Sequence, residues 1–106
     1  MRRLACFLFL ALTLFAQGHT VTLTWTASTT TGVTGYYVFR SRYPTGCTSN
    51  PQVDCIQLNS IVVACCDVTD PSVIAGDTYY YWLTAYCSAC SPDQSDLSNE
   101  AEAIVP

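Results

Sequence analysis

Thr20-Val21-Thr22-Leu23-Thr24-Trp25-Thr26 alternates strictly between polar and apolar side chains. A period of two puts Val21, Leu23 and Trp25 on one face of an extended chain and four threonines on the other, a geometry that β-branched and aromatic residues favour. The stretch reads as a half-buried strand. Toward the C-terminus, Ser28 to Gly35 is a Ser/Thr/Gly loop, and Tyr36-Tyr37-Val38-Phe39-Arg40 is a second strand. A long polar connection, residues 43–54, holds Pro44, Gly46, Asn50 and Pro51. Residues 55–59 and 61–68 are strand candidates, and Asp70-Pro71 with Ala75-Gly76 punctuate a turn. Residues 79–86 form the most aromatic strand, and residues 100–105 the last one, after a polar loop at 88–95. No window beyond residue 18 supports a sustained helix, so the expected fold is all-β: a sandwich of six to seven antiparallel strands.

Toward the N-terminus the chain begins Met1-Arg2-Arg3, runs apolar from Leu4 to Ala16 with Thr13 interrupting, and closes on Ala16-Gln17-Gly18. A charged start, an apolar run and small residues at a cleavage position are the parts of a secretory signal peptide. The run falls short of the roughly 20 apolar residues that a spanning helix needs. The expected organisation is a signal peptide at 1–18 and one domain at 19–106. Its removal leaves 88 of the 106 residues, takes Cys6 so that seven cysteines become six, and takes Arg2 and Arg3 so that the formal charge moves from -4 to -6. With no lysine and two arginines left, the chain does not suit nucleic acid or an acidic membrane surface. Half of its positions are apolar, which argues against disorder. The expected address is secreted, extracellular or at the cell surface, with no membrane association once the leader is gone.

The stretches Val21 to Ser28, Gly32 to Ser41, Val73 to Tyr81 and Ser98-Asn99-Glu100 together resemble a fibronectin type III domain of the kind found in secreted bacterial proteins. The resemblance covers nearly the whole of residues 19–106 and implies an immunoglobulin-like β-sandwich. It implies Trp25 as the core tryptophan of the second strand, Tyr36 and Val38 as inward residues of the third, and Tyr79 as the tyrosine-corner residue whose hydroxyl satisfies a turn carbonyl. Val21, Leu23, Tyr81 and Leu83 complete the expected core. The family usually opens with one strand more than the processed chain provides, so the edge of Thr20 to Thr26 is expected to lie open to a partner or a second copy.

Six cysteines in an exported chain of this size read as three disulfides. Cys87 and Cys90 are close enough for a local bridge. Cys47 and Cys55 flank the long loop and can close it, which leaves Cys65 and Cys66 as a strained neighbouring pair. Pairing Cys47 and Cys55 with Cys65 and Cys66 avoids that strain and is the preferred expectation. Cys87-Ser88-Ala89-Cys90 has redox spacing but no helix N-terminus to activate a thiol, and one such pair is too few for zinc.

Catalysis is not expected. The only histidine, His19, has no acidic partner near it in sequence, and Asp54, Asp67, Asp70, Asp77, Asp93 and Asp96 sit at turns and loops as solubilising charges. No cofactor and no metal is expected. Strand parity is more informative, because residues alternating with the core positions place Tyr37, Phe39, Tyr80, Trp82 and Tyr86 on one outward face. Such a patch is larger than an ordinary monomer exposes, unless the 43–54 connection covers part of it. The leading expectation is an exported, non-catalytic structural or interaction module that self-associates or docks on a protein partner, as in an extracellular filament or surface assembly. The alternative is a carbohydrate-binding or adhesion module whose aromatic face stacks on a glycan.

Overall fold

The computed structural model describes residues 13–17, 19–59 and 62–106. Residues 1–12 and 18 of the expected leader lie outside them. The described residues form seven strands: β1 (Thr13–Gln17), β2 (Thr20–Thr24), β3 (Gly35–Ser41), β4 (Ile56–Gln57), β5 (Asp67–Asp70), β6 (Thr78–Tyr86) and β7 (Ala101–Ile104). They build two antiparallel sheets, β1-β2-β5 and β4-β3-β6-β7. The inward alternation of β2, β3 and β6 meets between the sheets. Val21, Leu23, Trp25, Tyr36, Val38, Tyr79, Tyr81 and Leu83 are all buried there, with Val73, Ala85, Ala103 and Val105. Trp25 and Tyr36 pack edge to face, with ring centroids 5.3 Å apart.

Three elements depart from the sequence reading. First, the edge of β2 is not open in the full chain. β1, drawn from the last residues of the expected leader, pairs with β2 along its whole length, from Thr13 opposite Thr24 to Gln17 opposite Thr20.

Second, the strand expected at 61–68 is broken. Val63 makes a two-way bridge to Tyr36, the chain turns at Cys65 and Cys66, and strand structure resumes only at Asp67. Neighbours in a strand point to opposite faces, whereas Cys65 and Cys66 are joined to each other. The strand expected at 55–59 shrinks to Ile56–Gln57 because the Asn59 side chain takes over the edge of β3. Its Oδ1 accepts from the Val38 N–H at 2.8 Å and its Nδ2 donates to the Tyr36 carbonyl at 3.1 Å.

Third, the preferred cross-pairing of cysteines is not found, and all three bridges are local: Cys47–Cys55, Cys65–Cys66 and Cys87–Cys90. The 42–55 loop folds on itself, with the Val53 N–H donating to the Gly46 carbonyl at 2.8 Å, and this brings the Cα atoms of Cys47 and Cys55 to 4.9 Å.

The tyrosine corner forms with its polarity reversed from the expectation. The Tyr79 hydroxyl accepts from the Ile74 N–H at 3.0 Å instead of donating to a carbonyl. Between them the chain turns through Gly76 at φ 88°, in the left-handed region that glycine adopts without strain.

Candidate interaction face

The β3–β6 register decides which outward side chains are neighbours. Tyr37 lies opposite Thr84, Phe39 opposite Trp82 and Ser41 opposite Tyr80, while Tyr86 pairs with Gly35 at the far end. All five aromatics singled out in the sequence therefore share one sheet face. Tyr37 and Tyr86 meet edge to face, with centroids 5.7 Å apart and planes at 78°. β7 adds Glu102 beside Tyr80.

Trp82 corrects the expectation of an open patch, since only 1% of it is exposed. Its parity is outward, but it is buried, and chain segments fold back onto its neighbours Ser41 and Thr84. The 42–55 loop folds back onto Ser41, which lies diagonal to Trp82 and within the reach of large side chains across a sheet. The Ser41 hydroxyl donates to the Val53 carbonyl at 2.8 Å and accepts from the Tyr43 N–H at 3.0 Å. Gly46 is seated so closely that a Cβ there would stand 2.6 Å from both the Ser41 Cβ and the Val53 carbonyl oxygen. The Thr45 N–H donates to the Glu100 carboxylate at 2.8 Å, fastening the loop to the residue before β7. From the other side the segment after Cys90 runs along β6. Thr84 Oγ1 donates to Gln94 Oε1 at 2.8 Å, and the Ser95 and Ser98 hydroxyls accept from the Ala85 and Leu83 amides at 2.8 Å each.

Tyr37, Phe39, Tyr80 and Tyr86 remain partly exposed, and the roofing loop presents Tyr43, 52% exposed, and Val53 on its own surface. Partial burial, followed by the carboxylates of Glu102 and Glu100, holds the Tyr80 hydroxyl above its ordinary range, so it stays a neutral donor. The face can offer apolar ring area with hydroxyl rims.

Asp70 reads in the sequence as a solubilising turn residue, but it is the centre of a buried clamp. Its Oδ2 accepts from Arg40 Nη1 at 2.9 Å and from the Tyr81 hydroxyl at 2.8 Å. Its Oδ1 accepts from the Ser72 N–H at 3.0 Å and hydroxyl at 2.6 Å. The Arg40 guanidinium also lies over the Tyr79 ring, 5.0 Å from its centroid. Arg40 shares the inward parity of Tyr36 and Val38, and a charged residue in such a register was the available signal that a buried counter-charge must exist. Both carboxylate oxygens are occupied, which suits a structural anchor more than a proton carrier.

No protein-family model matches the chain, and no curated protein does. Solved structures do. A fibronectin-type-III-like protein from Clostridium thermocellum superposes with a TM-score of 0.68 at 27% identity, covering 92% of this chain and 88% of that one. A fibronectin type III domain from a human protein gives 0.66 at 16% identity, over 89% of this chain and 69% of that chain. A pectate lyase from Erwinia chrysanthemi gives 0.67 at 16% identity over 89% of this chain, which matches 28% of the lyase's length. With the two-sheet strand order and the tyrosine corner, these likenesses establish that the chain has a fibronectin type III fold.

Proposed function

We propose that this chain is an exported, non-catalytic interaction module that self-associates through the outer face of β3 and β6, as a subunit of an extracellular assembly such as a filament or surface layer. The observation that carries the reading is the run of partly exposed aromatics, Tyr37, Phe39, Tyr80 and Tyr86, held on one rigid sheet face. Tyrosines on a stiff support supply amphipathic contact area at low entropic cost, and exposed apolar patches of this kind mark interaction sites. Three disulfides suit an oxidising, extracellular setting. The glycan reading has less support, because a sugar ring stacks on a flat platform and the Tyr37 and Tyr86 rings cross at 78°.

Sedimentation of the exported, oxidised protein tests the proposal. The wild type is expected to associate, and Phe39→Ser with Tyr86→Ser to weaken that association while far-UV dichroism stays unchanged. A wild type that remains monomeric at high concentration overturns it.

A further inference from the structure

Five residues of this chain have two incompatible uses. Thr13–Gln17 complete the three-stranded sheet as β1, and they are also the end of the apolar leader, immediately before the expected cleavage after Gly18. That bond lies in the two-residue connection between Gln17 and Thr20, which pair with each other across the hairpin. Cutting there and withdrawing the leader strips β1 from β2 and leaves one side of β2 with unpaired N–H and carbonyl groups.

The uncovered edge would be unlike the others in the fold. β5 carries Asp67 and Asp70, β7 carries Glu102, and β4 is two residues long. Charges and short length are the usual protections against strand addition. β2 has neither protection: Thr20-Val21-Thr22-Leu23-Thr24 contains no charge, no proline and no glycine.

We propose that processing switches this edge on, and that its occupant is β2 of a second copy, paired antiparallel about a two-fold axis through Thr22. The strand is self-complementary in that register. Val21 falls opposite the second copy's Leu23 and Leu23 opposite its Val21, at the positions where β1 sets Ala16 and Leu14. Thr20 falls opposite Thr24, and Thr22 opposite Thr22, so threonines meet threonines on the outer side. The same surface already makes such a contact, between Thr22 Oγ1 and Thr69 Oγ1 at 3.1 Å. A two-fold of this kind is the closed, self-matching arrangement that homodimers favour. Any register that shifts by one residue would set the apolar pair against threonines. The inference rests on the export reading, and it uses a surface separate from the aromatic face.

The full chain is produced with its leader in a secreting host, and the exported material is examined by intact mass, sedimentation and non-reducing electrophoresis. The expected product lacks residues 1–18, pairs through β2 even with Phe39→Ser and Tyr86→Ser in place, and forms an interchain disulfide when Thr22→Cys is introduced. Facing residues of an antiparallel pair lie about 4.5–5.5 Å apart at Cα, within disulfide reach. Thr24→Cys is expected not to cross-link, since the two copies of residue 24 would be four positions apart, about 14 Å. Thr22→Lys, which sets two ammonium groups face to face, is expected to abolish the edge pairing, so that combined with Phe39→Ser and Tyr86→Ser it leaves the exported protein monomeric with its far-UV dichroism unchanged. A processed monomer, or equal cross-linking through residues 22 and 24, overturns the proposal. A mass that retains Thr13–Gln17 overturns it together with the expected cleavage after Gly18. Dimers that survive Phe39→Ser with Tyr86→Ser but not Thr22→Lys leave the edge proposal standing and sink the aromatic-face reading, and the reverse pattern does the opposite.

Discussion

The Tyr81 hydroxyl donates a 2.8 Å hydrogen bond to Asp70 Oδ2, and through it the long strand β6 of one sheet is tied to β5 of the other. Burial works against the Asp70 charge, but the bonds from Ser72, Tyr81 and Arg40 together outweigh it and hold the carboxyl below its ordinary range. Burial and the neighbouring carboxylate push the Tyr81 hydroxyl the other way, far above its ordinary range, so it is a donor at every working pH.

A carboxyl with a lowered folded pKa adds stability that is complete above its unfolded pKa, about 3.9, and is lost as pH falls through the folded value. The thermal midpoint of the wild type is therefore expected to drop as pH is lowered below about 5, and Asp70→Asn to remove that part of the slope. At neutral pH, Tyr81→Phe should cost about 1.5–3 kcal/mol, the worth of a hydrogen bond to a charged group. Asp70→Asn should cost more, about 3–5 kcal/mol, because Arg40 is left buried without its counter-charge. Thermal melts across pH for the three proteins check both statements.

The tyrosine corner gives a second, smaller expectation. Tyr79→Phe keeps the ring in the core and removes the acceptor for the Ile74 N–H together with the hydroxyl's long 3.5 Å donation to Asp77 Oδ2. The expected loss is about 1 kcal/mol, or about 4–8 °C in Tm for a domain of this size. Gly76→Ala leaves open space around the new methyl but forces φ 88° on an L side chain, so it too should destabilise, by about 1–2 kcal/mol.

What was readable in the sequence follows from which signals are local. The alternation around Leu23 and the parities of Tyr36 and Tyr81 fix which face of each strand is inward, and a sandwich follows from that. The parity of Trp82 gives its face but not its burial, because the 42–55 loop that seats on the neighbouring Ser41 through Gly46 and Val53 lies outside any strand periodicity. Strand β1 was hidden for a different reason. Residues 13–17 are the end of an apolar run, and an apolar run carries no period that separates a leader from a strand. Asp70 was missed because a carboxylate before a proline reads as a turn, and its partner Arg40 is thirty residues away.

Gly46 gives the most direct test of the roof. Gly46→Ala puts a methyl within 2.6 Å of Ser41 Cβ and of the Val53 carbonyl oxygen, so the loop must lift. Both tryptophans are buried in the wild type. The emission of Gly46→Ala is expected to shift to the red as Trp82 meets water, with the Trp25 contribution unchanged. Repeating the measurement in Trp82→Phe should abolish the shift, and a shift that persists there would assign the change to Trp25 and the core.

The bridge that closes the same loop has a size that can be estimated from its span. Cys47 and Cys55 are eight positions apart, and Cys87 and Cys90 three. Chain-entropy reasoning assigns about 2.5 kcal/mol to the first and about 1.6 kcal/mol to the second. Cys47→Ser with Cys55→Ser should therefore lower stability by more than Cys87→Ser with Cys90→Ser, by roughly 1 kcal/mol, in urea unfolding read by far-UV dichroism. The first pair should also loosen the roof over Trp82, because the loop would then be held on Ser41 by hydrogen bonds alone. Red-shifted tryptophan emission at zero denaturant is the expected mark of that loosening. If instead the two double variants lose equal stability and both keep the wild-type emission, then the hydrogen bonds from Ser41 and Thr45 hold the loop by themselves and the bridge is redundant to the face it overlies.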